Sequence, residues 1–228
     1  MEERDRFPRF ERLEPTLKVR ILDAALSEFG RFGFRAASMN RLVQSAGISK
    51  GALFKYFGTK SRLFDYVYRA SLEEVKGQLR GVRDNSREEP FFTRLEKVIR
   101  AGLQFTTDRP LSAAIYYRVI YTGDAPHGKS ILSEIQGASR RYLKTLLEDG
   151  VRRKEIRPGI DTERTAFIIQ SVLDRFLQAH YLDFMAPAID GSTSRKTEDP
   201  SRVTEGWIRE ITGLFKDGLH NQKRRDEP

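Results

Sequence analysis

Apolar side chains recur at intervals of three and four residues along most of the chain, which is the spacing of amphipathic helices. No stretch alternates apolar and polar positions as a half-buried strand does, and no segment repeats. Proline and glycine clusters separate the helical stretches. The pattern predicts an all-α fold of about nine helices. These are Thr16–Arg31, Ser38–Ala46, Ser49–Phe57, a long helix from Ser61 that fades through Gly77 and Gly81, Phe91–Thr107, a helix from Pro110 to about Tyr121, Ser130–Arg153, Thr162–Phe184 and Ser201–His220.

Two short helices near the N-terminus are joined by the sequence Ala46-Gly47-Ile48. Ser38 and Ser49 each stand where a side-chain oxygen can cap the helix that follows. Gly47 falls where a helix must end with positive φ, which glycine adopts without steric cost. The spacing therefore predicts two helices with a tight turn between them, which is the arrangement of a helix-turn-helix.

The second short helix divides into two faces. Leu53 and Phe57 lie four residues apart and point inward together. The opposite face carries Lys50, Gly51, Ala52, Phe54 and Lys55. This face is suited to a DNA groove because base contacts come from outward side chains near the start of such a helix.

Charge along the same stretch favours a polyanionic partner. The chain carries a net charge of +9, and no Asp or Glu occurs between Phe29 and Phe64. A surface of one sign attracts nucleic acid and releases its counterions. The alternative is the solvated basic face of an ordinary helical hairpin. The basic residues of this stretch are Arg31, Arg35, Arg41, Lys50, Lys55, Lys60 and Arg62.

Residues 17–64 resemble the N-terminal domain of the TetR (tetracycline repressor) family of bacterial transcriptional regulators. The resemblance implies a three-helix helix-turn-helix domain (16–60) and a C-terminal helical domain for effector binding and dimerisation (61–228). Residues 1–15 are polar and of mixed charge with Pro8 and Pro15 as helix breakers, so we expect a mobile arm there. The matching positions are Ile21, Ala24-Ala25, Phe29, Gly33-Phe34, Ala46-Gly47-Ile48-Ser49, Gly51, Leu53-Phe54, Phe57, Lys60 and Leu63.

The expected DNA contacts follow from the helix positions and from the resemblance. Lys50 and Lys55 can donate to guanine or phosphate, and the Ala52 methyl can meet a thymine methyl. Backbone N–H groups near Ser38 and Ser49 suit phosphate. Lys60 resembles the family's phosphate-clamping lysine. The full expected set is Ser38, Asn40, Arg41, Ser49, Lys50, Gly51, Ala52, Phe54, Lys55, Tyr56 and Lys60.

The recognition stretch departs from the family pattern at three positions. The family usually has Tyr where Phe54 stands, and its hydroxyl meets a phosphate, which Phe54 cannot do. Tyr56 stands near a position where the family often has His, so the hydroxyl contact is expected to have moved there. Ala52 replaces a common Thr.

The C-terminal region is expected to bind a small apolar effector and a second copy of the chain. Aromatic residues of its helices either line a cavity or simply pack in the core. The resemblance implies a homodimer through Thr162–Phe184 and Ser201–His220, and the apolar character of these helices on more than one side also requires a covering surface. The expected ligand-binding residues are Phe105, Tyr116, Tyr117, Tyr121, Phe167, Gln170 and Asp174.

Candidate catalytic chemistry is sparse. His127, His180 and His220 lack metal-ligand spacing, and no phosphate-binding glycine motif occurs. Asp174, His180 and Asp183 share a helix, either as acid–base groups or as its polar edge. The resemblance implies a transcriptional repressor released by a small apolar effector, and the sparse catalytic chemistry adds the expectation of no cofactor and no enzymatic activity. The alternative is a basic all-α enzyme or an interaction scaffold.

Cellular location follows from composition. The chain has no cysteine, which fits a reducing compartment. Its N-terminus lacks the apolar segment of a secretory signal, and no apolar run reaches the length of a membrane span. We expect a cytoplasmic protein with no membrane partner.

Overall fold

The computed structural model describes residues 7–126, 128–190 and 200–219. Helices dominate these residues and no β-strand occurs among them, which confirms the all-α prediction. The helices are α1 (Pro8–Glu11), α2 (Pro15–Ala36), α3 (Met39–Ala46), α4 (Lys50–Phe57), α5 (Lys60–Asn85), α6 (Phe91–Asp108), α7 (Pro110–Thr122), α8 (Gly128–Arg152), α9 (Thr162–His180), α10 (Ala186–Asp190) and α11 (Pro200–Leu219). A π-helical turn at Tyr181–Met185 joins α9 to α10.

The chain forms two compact units. Unit 1 comprises Met1–Lys76 and Asp108–Leu132, and unit 2 comprises Gly77–Thr107 and Ser133–Pro228. The expected domain boundary at residue 60 therefore differs from the observed division, because the first part of α5 and all of α7 join the helix-turn-helix. α5 and α8 each continue from one unit into the other.

In unit 1, α3 and α7 pack on α2, and α4 packs on α3 and α1. The apolar stripe of α2 buries Ile21, Ala25 and Phe29 completely. The ring of Phe29 meets Phe64 of α5 edge to face, with centroids 5.1 Å apart. Gly30 lies so close to Leu111 of α7 that an added Cβ would come within 3.0 Å of that side chain. Glycine therefore permits the close contact of α2 with α7.

The N-terminal segment is not an arm in its described part. The ring of Phe10 is fully buried, 4.7 Å from Phe57 and 5.4 Å from Tyr66 between centroids. Phe7 is also buried and lies 5.2 Å from Phe57. The expectation of a mobile arm is thus wrong for residues 7–15. Pro8 and Pro15 suggested an irregular segment, but Phe7 and Phe10 supply apolar side chains that pack against α4 and α5. Residues 1–6 lie outside the described residues.

Unit 2 has its own apolar core, built from α6, α8, α9 and α11. The buried pair Arg94 and Asp149 joins α6 to α8 at 2.6 Å. Glu155 accepts a hydrogen bond from the backbone N–H of Phe91 at the start of α6. The core residues are Phe91, Leu95, Ile99, Leu103, Leu143, Leu146, Leu147, Ile156, Ala166, Ile169, Leu173, Ile208, Ile211 and Leu219.

Three predicted helix ends differ from the structure. α2 does not stop at Arg31 but continues to Ala36 with an interruption at Gly33. α5 runs through Gly77 and Gly81 to Asn85, because the helix is long enough to tolerate two exposed glycines. The predicted helix Thr162–Phe184 does not stop at Phe184, because the π-helical turn and α10 continue it to Asp190. Residues 191–199 lie outside the described residues, as do His127 and the stretch 220–228 with His220.

Candidate DNA-binding surface

The turn between α3 and α4 has the predicted local structure. The Ser38 hydroxyl accepts a hydrogen bond from the N–H of Arg41 at 3.4 Å, and that of Ser49 accepts one from Ala52 at 3.1 Å. Gly47 ends α3 in the left-handed conformation with φ of 67°. These three residues close one helix and open the next within a few positions, which fixes the geometry of the helix-turn-helix.

α4 presents a clear inward and a clear outward face. Leu53 and Phe57 are each 1% exposed. The outward face exposes Lys50, Gly51, Phe54 and Lys55 to solvent. Ala52 and Tyr56 are half-buried on one flank, where the Tyr56 ring lies 6.4 Å from Phe10. The side chains expected to meet DNA on α4 are thus accessible, with Ala52 and Tyr56 at the edge of the surface.

On α3, Asn40 is exposed but Arg41 is engaged within the protein. The Arg41 guanidinium donates to both carboxylate oxygens of Glu28, at 3.2 and 2.5 Å. It also lies 4.2 Å from the centre of the Phe32 ring. Glu28 is only 6% exposed, so its charge requires this partner. Arg41 therefore links α3 to α2 while its side chain remains 51% exposed, and its expected contact with DNA stays a prediction.

Lys60 also makes contacts that the sequence did not predict. Its ammonium group donates to the backbone carbonyl oxygens of Ala37 and Arg35, at 2.6 and 3.2 Å. Burial lowers the pKa of Lys60, and the negative charges of Asp124 and Glu28 act against that shift. Two of the three ammonium hydrogens therefore serve the link between α2 and α3, and one remains for an outside partner.

The positive surface around α4 has no competing acid at its centre. The residues Lys50, Lys55 and Arg35 are exposed, and the sequence between Phe29 and Phe64 contains no Asp or Glu. Along the chain the nearest acid, Glu28, is buried and paired with Arg41, and Asp124 lies at the edge of this surface, 3.8 Å from the Arg35 guanidinium group. An approaching polyanion consequently meets positive potential on the outward side of the helix-turn-helix.

The residues expected to bind a ligand divide between the two units. Tyr116, Tyr117 and Tyr121 belong to unit 1, where Tyr117 is buried and Tyr121 is 42% exposed. Their rings pack on one another, Tyr116 edge to face on Tyr117 and Tyr121 stacked on it. These three residues form an aromatic cluster on α7.

In unit 2 the structure separates the four remaining candidates. Phe105 is buried. Phe167 is 52% exposed beneath the guanidinium of Arg140, so it does not line a core cavity. Gln170 is buried, and its amide donates to the carbonyl oxygen of Gln136 at 3.2 Å. Burial raises the pKa of Asp174 to about 6.

Sequence reasoning missed two buried polar groups of unit 2. The Tyr142 hydroxyl and the Gln78 side-chain oxygen have no hydrogen-bond partner among the described residues. Burial raises the pKa of Tyr142, while the charges of Arg94 and Arg83 act in the opposite direction, so the hydroxyl remains protonated at neutral pH. Helical periodicity places both residues on inward faces but gives no sign that their polar atoms lack a partner.

Apolar side chains are exposed on α9 and α11. On α9 they are Phe167, Ile168 and Val172, with Ile168 54% exposed. On α11 they are Trp207 and Leu214, which lie two helical turns apart on one side of the helix, with Leu214 66% exposed. Contiguous apolar surface of this kind marks an interaction site in soluble proteins.

Two other kinds of site were sought in the described part of the chain. None of its helices combines the length and apolarity that a bilayer crossing requires. No group of three His, Cys, Asp or Glu side chains is placed to hold a metal ion among the same residues.

Two family models together match most of the chain. The model described as "Bacterial regulatory proteins, tetR family" matches residues 21–67, which include α3 and α4. The model described as "Tetracyclin repressor-like, C-terminal domain" matches residues 90–208.

Individual relatives show the same similarity. The chain is 28% identical over 152 residues to the uncharacterized HTH-type transcriptional regulator YhgD of Bacillus subtilis strain 168, covering 67% of this chain and 78% of that protein. It is 26% identical over 185 residues to the HTH-type transcriptional regulator RutR of Escherichia coli K12, covering 80% and 81%. A TetR family transcriptional regulator from Chloroflexus aurantiacus has a similar fold, with a TM-score of 0.69 at 22% identity over 94% of this chain and 98% of that one.

Proposed function

The chain belongs to the TetR family of bacterial transcriptional regulators, and we propose that it is a dimeric repressor that a small molecule releases from its operator. Its helix-turn-helix binds DNA, and its C-terminal helical domain corresponds to the family's ligand-binding domain. The outward face of α4 is the observation that carries the proposal, because its exposed lysines surround the small Gly51 with no acid beside them.

Individual contacts divide between base edges and the DNA backbone. Lys50, Lys55 and Ala52 meet bases, and Gly51 allows α4 to approach the groove floor. The N-termini of α3 and α4, at Ser38 and Ser49, and the remaining ammonium hydrogen of Lys60 meet phosphates. Asn40 and Tyr56 contact DNA from the flanks of the surface, and Phe54 makes apolar contact in the groove.

Dimerisation accounts for the exposed apolar residues of α9 and α11. A second copy of the chain covers both helices, as the expected interface Thr162–Phe184 and Ser201–His220 requires; the side chain of Ser201 and all of His220 lie outside the described residues. The two α4 helices of the dimer, called the reading helices below, then enter successive major grooves, about 34–36 Å apart. The operator is consequently near-palindromic.

The effector is a mainly apolar small molecule with at least one polar group. Buried polar atoms without a partner are rare in folded proteins, and a bound molecule is one explanation for them. Tyr142 and Gln78 provide such atoms in unit 2, and Asp174 offers a carboxyl group that is readily protonated. Binding releases DNA only to the extent that the effector prefers one of two conformations.

The protein works in the cytoplasm, where its DNA lies, and acts by binding rather than by catalysis. Its matched family models and the named relatives are all transcription regulators, which supports this assignment. Mass spectrometry of a small molecule retained during purification tests the effector part of the proposal. We expect the Tyr142→Phe variant to lose that molecule.

Selection of bound duplexes from a random pool tests DNA recognition. We expect a near-palindromic consensus, and we expect Lys50→Ala to relax the preference at one position per half-site at a cost of about 1–3 kcal/mol. The control is Lys154→Ala, which removes the same charge from an exposed position between α8 and α9. Equal losses for both variants on selected and random duplexes would show that α4 does not read bases.

A further inference from the structure

Near its C-terminal end, α2 is broken at Gly33, and a second short segment begins there. Gly33 has φ of 75° and ψ of 177°, so the N–H groups of Phe34 and Arg35 have no acceptor in the preceding turn. Both groups donate to the carboxylate of Asp124, Phe34 at 2.9 Å and Arg35 at 3.1 Å. Asp124 therefore acts as an N-cap supplied from the α7–α8 loop, about ninety residues along the chain.

The Asp124 carboxylate fits at Gly33 only because this residue has no side chain. An added Cβ at Gly33 would lie 2.1 Å from Asp124 Oδ2, which is a severe overlap. The positive φ is also unfavourable for any other residue. Glycine is thus required twice at position 33, for the backbone conformation and for the approach of Asp124.

A second contact ties the same two elements. Arg118 of α7 donates to the carbonyl oxygen of Arg31 at 3.0 Å, immediately before the break. Arg118 and Asp124 thus hold α2 on both sides of Gly33, one through a carbonyl group and the other through amide groups.

Opposite Asp124, Lys60 binds the carbonyl oxygens of Arg35 and Ala37. The next residue, Ser38, donates its N–H to Glu28 at 2.5 Å and caps α3 with its hydroxyl. The segment 34–38 is therefore held by partners at nearly every residue. The backbone direction of this segment determines where α3 begins. The orientation of α3, together with the turn at Gly47, determines the orientation of α4.

We propose that Asp124 is a positioning residue for DNA recognition, which fixes the orientation of α3 and α4 by capping the segment after Gly33. The inference rests on the proposed DNA-binding function and adds to it a determinant outside the helix-turn-helix. The α7–α8 loop becomes a part of the molecule on which the geometry of the reading helices depends.

The sign of an affinity change separates this role from a simple charge effect. Asp124→Asn removes a negative charge near a DNA-binding surface, which by electrostatics alone strengthens DNA binding. Loss of one cap acceptor instead weakens binding to the selected duplex by about fivefold. The matched control is Glu148→Gln, which removes the same charge from an exposed position on α8. Equal or tighter binding by Asp124→Asn relative to this control overturns the proposal.

Amide hydrogen exchange of the free protein tests the positioning step without DNA. We expect Asp124→Asn to speed exchange at Phe34 and Arg35 and in α3, while the amides of α6 around Ile99 keep wild-type rates. A uniform increase in both regions, or unchanged rates in α3, overturns the proposal. If the wild-type chain selects no duplex, the proposed function fails, whereas the exchange result still decides whether Asp124 orders this segment.

Gly33→Ala provides an independent variant. The new methyl group displaces Asp124, so we expect the same local pattern of exchange and the same loss of selected-duplex affinity, in a protein whose charge is unchanged. Faster exchange only at residues beyond α3, or wild-type affinity for the selected duplex, contradicts the inference.

Discussion

Lys60 combines two functions in one side chain. It supports the link between α2 and α3 through Arg35 and Ala37, and its remaining hydrogen is available to a phosphate. A phosphate contact is independent of DNA sequence, whereas the support of residues 35 and 37 also affects the orientation of α3 and α4.

We expect Lys60→Ala to weaken binding to random duplexes, to weaken binding to the selected duplex at least as much, and to reduce the slope of log K against log salt by about 1. Titrations at several salt concentrations measure both quantities. An unchanged slope would mean that the ammonium group serves only the two carbonyl oxygens and that the phosphate contact is absent.

Asp174 makes the stability of the protein depend on pH. Its folded-state pKa of about 6 lies above the usual value of 3.8, so the folded chain binds more protons than the unfolded chain between these values. Stability therefore falls as pH rises from about 4 to about 6 and is level above that range.

For Asp174→Asn this dependence disappears. We expect the variant to gain about 2 kcal/mol of unfolding free energy over the wild-type chain between pH 4 and pH 7, a value reduced from the full shift because the side chain is partly exposed. Denaturant unfolding at several pH values measures the difference. A constant difference between the two proteins across this range would exclude a raised pKa at Asp174.

At the scale of elements, the short helix α1 is part of the DNA-binding head, by which we mean α1 to α4 and the start of α5. α4 has only eight residues, and a helix of that length depends on tertiary packing for its stability. Phe10 provides that packing against Phe57, the last residue of α4. The hydroxyl of Tyr66 also donates to Glu11 at 2.9 Å, which ties α1 to α5.

We expect Phe10→Ala to lower the unfolding free energy by about 3 kcal/mol, because it empties a fully buried aromatic site. Amide exchange in α4 should accelerate more than exchange in unit 2. Arg9→Ala changes an exposed neighbour on the same helix and serves as the control. Equal exchange in α4 for both variants would show that α1 is not needed for the order of the reading helix.

Local features of the head followed from sequence, whereas long-range partners did not. Ser38, Gly47 and Ser49 act on residues within a few positions, so their roles are encoded in short spacings. Asp124 meets residues about ninety positions away, and nothing in its own neighbourhood marks it as a cap. The sequence likewise gave no sign of the ion pair of Arg41, because its partner Glu28 lies 13 positions away, just outside the acid-free stretch.

At the scale of the whole molecule, the proposed dimer links the exposed apolar surface to DNA affinity. A dimer binds two half-sites at once, so loss of the interface lowers the affinity for a palindromic operator even though each reading helix is intact. The exposed residues Ile168 and Leu214 lie on the helices proposed to form that interface.

We expect the double substitution Ile168→Lys with Leu214→Lys to convert a dimer into a monomer, since it places charges within an apolar contact. Sedimentation measures the mass, and operator titration measures the lost affinity. Val19→Lys is the control, because Val19 is an apolar residue of α2 that is 56% exposed. A monomeric wild-type chain, or a dimer that survives the double substitution, contradicts the proposed interface.

The division of α4 into two faces has a practical consequence for redesign. Leu53 and Phe57 carry the packing, whereas the exposed Lys50 and Lys55 contribute little to it and Phe54 is 36% exposed. Surface substitutions away from packed or capped positions usually change stability by less than about 0.5 kcal/mol. The exposed side chains can therefore be exchanged in combinatorial libraries to obtain variants with new operator preferences, without re-engineering the scaffold that carries them.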